Sequence, residues 1–152
     1  MTASNSPGID PRGPRFSAGV TAVVVLVVVG LALAGLTVAS LILFAAQGVV
    51  FAIGAFAGVQ RHPYGLVYKR LVRPRLSPPL ELEDPKPPTF AQGVGLFVTV
   101  AGLILTLLGV ALALPIAAAL AFLAAFLNAV FDFCLGCQIY LLLVRARVIR
   151  TA

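Results

Sequence analysis

Cys134 and Cys137 are the only thiols in this chain, and only Leu135-Gly136 separates them inside a long apolar run. Cysteines three apart share one face of a helix, or close a disulfide where the backbone unwinds, here at Gly136. Either arrangement suits a dithiol–disulfide cycle or the carriage of a persulfide, with the thiolate as the reactive form. Asp132 lies two residues upstream. As a neutral acid it could relay a proton to or from a thiol, so Cys134, Cys137 and Asp132 form the candidate catalytic set. Asn128 is one turn before Asp132 and Gln138 one turn after Cys134, which extends a polar belt along the segment. Gln47, in an earlier apolar run, could meet that belt across a bundle. Polar groups within a membrane span are functional candidates because hydrocarbon solvates them so poorly. The plainer alternative is that both cysteines are small, inert packing residues. Zinc is disfavoured, since neither a second cysteine pair nor spaced histidines accompany the motif.

The elements that must position these residues follow from composition. Hydrophobic residues make up 61% of the 152 and charged residues only 11%, and mean hydropathy is +1.07. Soluble domains carry about 25% charged residues, so the expected class is an all-α integral membrane protein. The net charge of +6 does not indicate nucleic acid. The basic residues flank apolar runs, and no basic domain with interleaved aromatics is present. The basic N-terminal stretch before an apolar run resembles a signal peptide, but the run far exceeds the roughly 7–15 residues of such a segment, which reads as a retained span.

A span needs about 20 apolar residues. Residues 16–60 and 89–144 each hold two, which gives expected spans at 16–36, 39–59, 90–113 and 116–144, with turns near Gly35–Ser40 and Leu114-Pro115. The tail (residues 1–15) carries Arg12 and Arg15. The loop at 60–89 carries Arg61, Lys69, Arg70, Arg73, Arg75 and Lys86. The terminal stretch 145–152 carries Arg145, Arg147 and Arg150. The short turns carry no basic residue. Four spans put tail, loop and C-terminus on one side, and the positive-inside rule makes that side the cytoplasm of a plasma-membrane protein. Counted from Arg145 at about 1.5 Å per residue, the cysteines would lie about 12–16 Å deep. In the loop, Tyr64, Val67, Tyr68, Leu71 and Val72 recur at helical spacing opposite Lys69, Arg70 and Arg73. With Arg61 and His62 they are the expected interfacial, lipid-contacting residues. Arg61 and His62 are also the candidate cations for ionising a thiol. The proline-rich stretch 77–85 should be extended.

Asp10–Val20 recurs as Asp84–Val94, with six of eleven positions identical. Each copy precedes a two-span hairpin. Two spans restore the same orientation, so the expected bundle is a pair of parallel helical-hairpin repeats related by an axis along the membrane normal. The cysteines occur in the second hairpin only.

The Asp-Pro-Arg-Gly-Pro-Arg-Phe stretch at 10–16, the Arg-His-Pro-Tyr-Gly loop at 61–65 and the segment Asn128–Tyr140 together resemble a bacterial family of four-span membrane proteins of unknown function, common in actinobacteria. Its Phe-Cys-x-Gly-Cys segment is carried here by Phe133, Cys134, Gly136 and Cys137. The resemblance implies a thioredoxin-like or rhodanese-like partner and supplies no activity. The arrangement is also similar to quinone-coupled thiol oxidoreductases, which implies a quinone as the possible cofactor. Those enzymes add a second cysteine pair that this chain lacks, so an external dithiol protein would be required. The expected function is membrane thiol redox or sulfur relay. An accessory subunit of a larger membrane complex and a small transporter of a sulfur species remain the alternatives.

Overall fold

The computed structural model describes residues 7–150. The described residues form six α-helices: α1 (Arg12–Leu33), α2 (Thr37–Phe56), α3 (Pro63–Val67), α4 (Lys86–Leu107), α5 (Ala113–Phe131) and α6 (Leu135–Arg145). There is no strand among the described residues, only an isolated antiparallel bridge between Ile9 and Glu83. α1, α2, α4 and α5 are long and apolar enough to cross a membrane. Their outward faces carry large apolar side chains such as Val23, Val38, Ile42, Phe97 and Leu107. In water that surface would be an extended hydrophobic patch; in lipid it is the matched one.

Local chemistry fixes each helix end. Asp10 Oδ1 accepts the Arg12 N–H at 3.0 Å, and Asp84 Oδ1 accepts the Lys86 N–H at 2.9 Å. These carboxylates satisfy donors that an open helix terminus leaves bare. Pro87 and Pro88 occupy the first turn of α4, where a missing N–H costs little. At the far ends the chain reverses through left-handed glycines. Gly35 has φ 79°, and the Leu36 N–H closes back on Leu31 O at 2.9 Å. Gly109 has φ 93°, and the Val110 N–H closes on Leu105 O at 3.0 Å. A side chain at either site would be strained.

α1 packs most extensively on α5, and α2 on α4. Val25, Val28, Phe44, Leu114, Ala117, Ala118 and Ala121 form the core. Small residues set the approach: a Cβ on Gly102 would lie 3.3 Å from Phe44 and overlap Ala117. Close approach of this kind holds helices together in lipid, where apolar burial between helices gains little.

The helix bounds differ from the expected spans by a few residues, except at the fourth. The uninterrupted helix expected over 116–144 is two helices, broken at Asp132–Cys134. α5 has 19 residues, about 28 Å of helix, which nearly covers a hydrocarbon core of about 30 Å. α6 has 11 residues and is too short to cross.

The N-terminal segment, the 57–85 connection and the C-terminal end of α5 meet at one end of the bundle, here termed the loop end. Ile9 and Glu83 exchange two backbone hydrogen bonds of 2.9 Å. Arg12 donates to Ser77 O at 2.9 Å, Tyr68 OH to Asp10 at 3.1 Å and Arg15 to Ala129 O at 3.3 Å. The expected helical periodicity at 64–72 is present, as α3 followed by a π turn (Tyr68–Val72) and a 3-10 turn (Arg73–Arg75). Its tyrosines, however, turn into the bundle. Tyr68 is buried, while Leu66, Val67 and Leu71 face out. Hydrogen bonds to Asp10 and Gln47 draw the two phenols inward.

Candidate functional site

The cysteine pair is built by the way α5 stops. Asp132 caps α5 in the left-handed conformation, φ 56° and ψ 29°. Aspartate tolerates that region better than branched residues do. The Phe133 N–H closes on Leu127 O at 3.1 Å, and Cys134 follows in an extended conformation as the N-cap of α6. Cys134 Sγ accepts the Cys137 N–H at 3.2 Å, and the Gln138 N–H donates to Cys134 O at 3.0 Å. Cys134 and Cys137 form a disulfide with their Cα atoms 5.2 Å apart. Both are half-buried. The pair therefore lies at the loop end, at the head of a separate helix, rather than deep inside a span. The backbone break runs from Asp132 to Cys134 instead of falling at Gly136.

α6 is held by α4. Gly136 is buried, and a Cβ there would lie 2.6 Å from Ala91 Cα. Tyr140 is buried with its ring 5.6 Å from Phe90. Beside this contact an open apolar groove of about 650 Å³ lies between α2, α4 and α6, lined by Phe56, Phe90, Phe97 and Tyr140 among others.

The residues expected to share the site divide among three places. Asp132 is solvent-exposed, and its Oδ1 lies 3.6 Å from Arg15 Nε. Arg15 is the cation at this turn, and sequence spacing did not single it out. The signal available was topological, since four spans return the end of α5 to the start of α1. Burial raises the Glu83 carboxyl above the usual range, and the neighbouring Asp132 charge adds to the effect. Asn128 is half-buried on α5 and Gln138 is exposed on α6. Gln47 does not reach the cysteines. It accepts a hydrogen bond of 2.9 Å from Tyr64 OH. Arg61, Lys69, Arg70 and Arg73 are exposed at the loop end.

A family profile described as a domain of unknown function, DUF4395, matches residues 9–145. The chain belongs to the DUF4395 family. The match runs from the Ile9 bridge to the last residue of α6 and includes both cysteines. No curated protein and no solved structure matches the chain.

In this DUF4395 chain His62 is fully buried rather than interfacial. Its ring lies 5.3 Å from that of Tyr64. A Cβ on Gly54 would lie 2.8 Å from His62 Cδ2 and 2.7 Å from Gln92 Cγ. Burial pushes the His62 imidazole down to about 4. Both ring nitrogens, Gln47 Nε2 and Gln92 Oε1 are buried without a hydrogen-bond partner. A histidine kept neutral at pH 7 supplies no positive charge to a thiolate. No grouping of three or more His, Cys, Asp or Glu side chains suited to a metal ion occurs among the described residues.

Proposed function

We propose that this chain is a membrane thiol–disulfide exchange or sulfur-relay protein with Cys134 as the attacking thiol. The carrying observation is the placement of Cys134 Sγ at the N-terminus of α6, against the Cys137 N–H. The partial positive charge of a helix N-terminus favours a thiolate there. Exchange with a dithiol partner then balances without further reagents. The Cys134 thiolate attacks the partner's disulfide, forming a mixed disulfide and releasing one partner thiolate. Cys137 loses its proton and attacks Cys134 Sγ, releasing the second partner thiolate and leaving the Cys134–Cys137 disulfide. The reverse sequence reduces this chain. A thioredoxin-like or rhodanese-like partner fits the half-buried pair, which is reachable at the loop end. The two electrons could pass instead to a quinone in the lipid, giving disulfide and quinol. The apolar groove flanking α6 supports that option.

Transport of a sulfur species has less support, because the thiols sit at one end of a bundle whose centre is filled by Phe44, Val25 and Val28. The basic loop end supports a plasma-membrane protein with both termini in the cytoplasm. The matching caps at Asp10 and Asp84 and the matching turns at Gly35 and Gly109 share the spacing of the sequence repeat, which supports two parallel hairpin repeats.

The test is trapping. The full chain, reduced and in detergent, is mixed with a thioredoxin-fold protein whose resolving cysteine is serine and whose remaining cysteine is carried as its mixed disulfide with thionitrobenzoate, so that attack by a thiolate of this chain expels thionitrobenzoate. Cys137→Ser should accumulate a mixed disulfide through Cys134, whereas Cys134→Ser should give at least tenfold less. Equal trapping by both variants, or none by either, would count against the reading.

A further inference from the structure

A second cavity, of about 250 Å³, lies between the start of α1, the Val59–Gln60 turn and the α3–π segment. Its floor includes Ser17, a buried residue whose hydroxyl makes no hydrogen bond to another described residue. Gly65 keeps the floor open, since its Cβ position is already 3.5 Å from Val59 O and 3.8 Å from Ser17 Oγ. Three charged residues line the cavity: Asp10, Lys69 and Arg73. Asp10 is already neutralised. It accepts from Arg12 Nε at 3.0 Å and Nη2 at 2.9 Å, and from Tyr68 OH. Lys69 and Arg73 lie one turn apart and have no carboxylate within ion-pair distance among the described residues. The net field in the cavity is therefore positive, and a neutral hydroxyl waits at its base.

We infer that this cavity binds a phosphate-bearing anion, with Lys69 and Arg73 on the phosphate oxygens and Ser17 donating from the floor. Charge-assisted bonds from two cations suit such oxygens well. The volume falls just below the ~300–1,000 Å³ of sites for drug-sized ligands, so the occupant is a head group or a small free phosphate compound. Leu66, Val67 and Leu71 are exposed on the same segment, which places the mouth against the head-group layer of a bilayer. A lipid source and a soluble source share this chemistry, and binding separates them.

The experiment measures binding of two probes, dihexanoyl-phosphatidylglycerol and inorganic pyrophosphate, to the full chain in a non-ionic detergent by native mass spectrometry. At least one should bind, and Lys69→Ala/Arg73→Ala should weaken it tenfold or more. Arg75→Ala/Arg145→Ala, which removes equal charge outside the cavity, should change it less than twofold. Ser17→Ala, which leaves every charge in place, should weaken it severalfold. Phosphatidylglycerol binding alone identifies a lipid head group; pyrophosphate binding identifies a free phosphate compound. The inference is overturned if neither probe binds, or if the control pair loses as much as the cavity pair.

Discussion

Ile9 and Glu83, distant in sequence, exchange two backbone hydrogen bonds of 2.9 Å each. Each immediately precedes one copy of the repeated Asp-Pro motif, so this short bridge ties the two hairpins where each begins. In a hydrogen-bonded antiparallel pair the Cα atoms lie about 5.5 Å apart, within disulfide range. With Cys134 and Cys137 replaced by serine, Ile9→Cys/Glu83→Cys should oxidise readily. Both new thiols should then resist alkylation until reductant is added. Persistent alkylation after oxidation would show that the two segments do not meet.

Gly136 lets α6 lie on α4. Gly136→Leu should lift α6 from Ala91 and remove the burial of Tyr140, at a cost of about 1–3 kcal/mol. A lowered thermal midpoint in detergent, with faster alkylation of the reduced cysteines, is the expected outcome. Hydrogen exchange confined to residues 135–145 would locate the change.

Asp132 caps α5 by conformation more than by charge. Its pair with Arg15 is exposed, and such pairs are worth about 0–1 kcal/mol. Asp132→Gly should therefore be nearly neutral for stability. Asp132→Val, whose branched side chain disfavours the left-handed region, should cost about 1–2 kcal/mol. Thermal melts of the two variants decide between these roles. If Asp132 also relays a proton, Asp132→Gly will slow thiol exchange while leaving the melt unchanged.

His62 makes stability depend on pH in a defined direction. Its folded value, about 4, lies below the unfolded value near 6.5. The unfolded chain therefore takes up a proton first as pH falls, and stability declines between about 6.5 and 4 and then levels off. At about 1.4 kcal/mol per pH unit, the full loss is about 3.5 kcal/mol. Tyr64, the titratable group facing His62, is raised by burial and stays neutral across this window. His62→Leu should flatten the dependence, as read from thermal midpoints in detergent at pH 4 to 7.

In the reduced protein, Cys134 should alkylate faster than Cys137 at pH 7, because its sulfur accepts the Cys137 N–H at the start of α6. Mass-spectrometric mapping of partly alkylated protein reads this directly. Equal labelling would remove the basis for naming Cys134 the attacking thiol.

The four long helices were legible because lipid demands apolar runs of a set length, and Gly35 marked the first reversal. The break at 132–134 was not, because Phe131, Phe133 and Leu135 continue the apolar pattern across it. The clue was length, since 116–144 is longer than one span requires. Burial of His62 was hidden for a related reason. Its neighbours Arg61 and Pro63 suit a surface loop, and only the tertiary contact with Gly54 and Gln92 draws the ring inside. The cysteine pair was found by type and spacing, but its place at the loop end and the pairing of Asp132 with Arg15 depend on which helix ends meet, which local pattern does not encode.

The reversals at Gly35 and Gly109 are so short that almost no chain projects beyond the helix ends there. That face offers no ledge for a receptor, a protease or an antibody to grip. In the proposed exchange role, traffic therefore falls to the opposite end, which makes the molecule a device with one working side and a blank back.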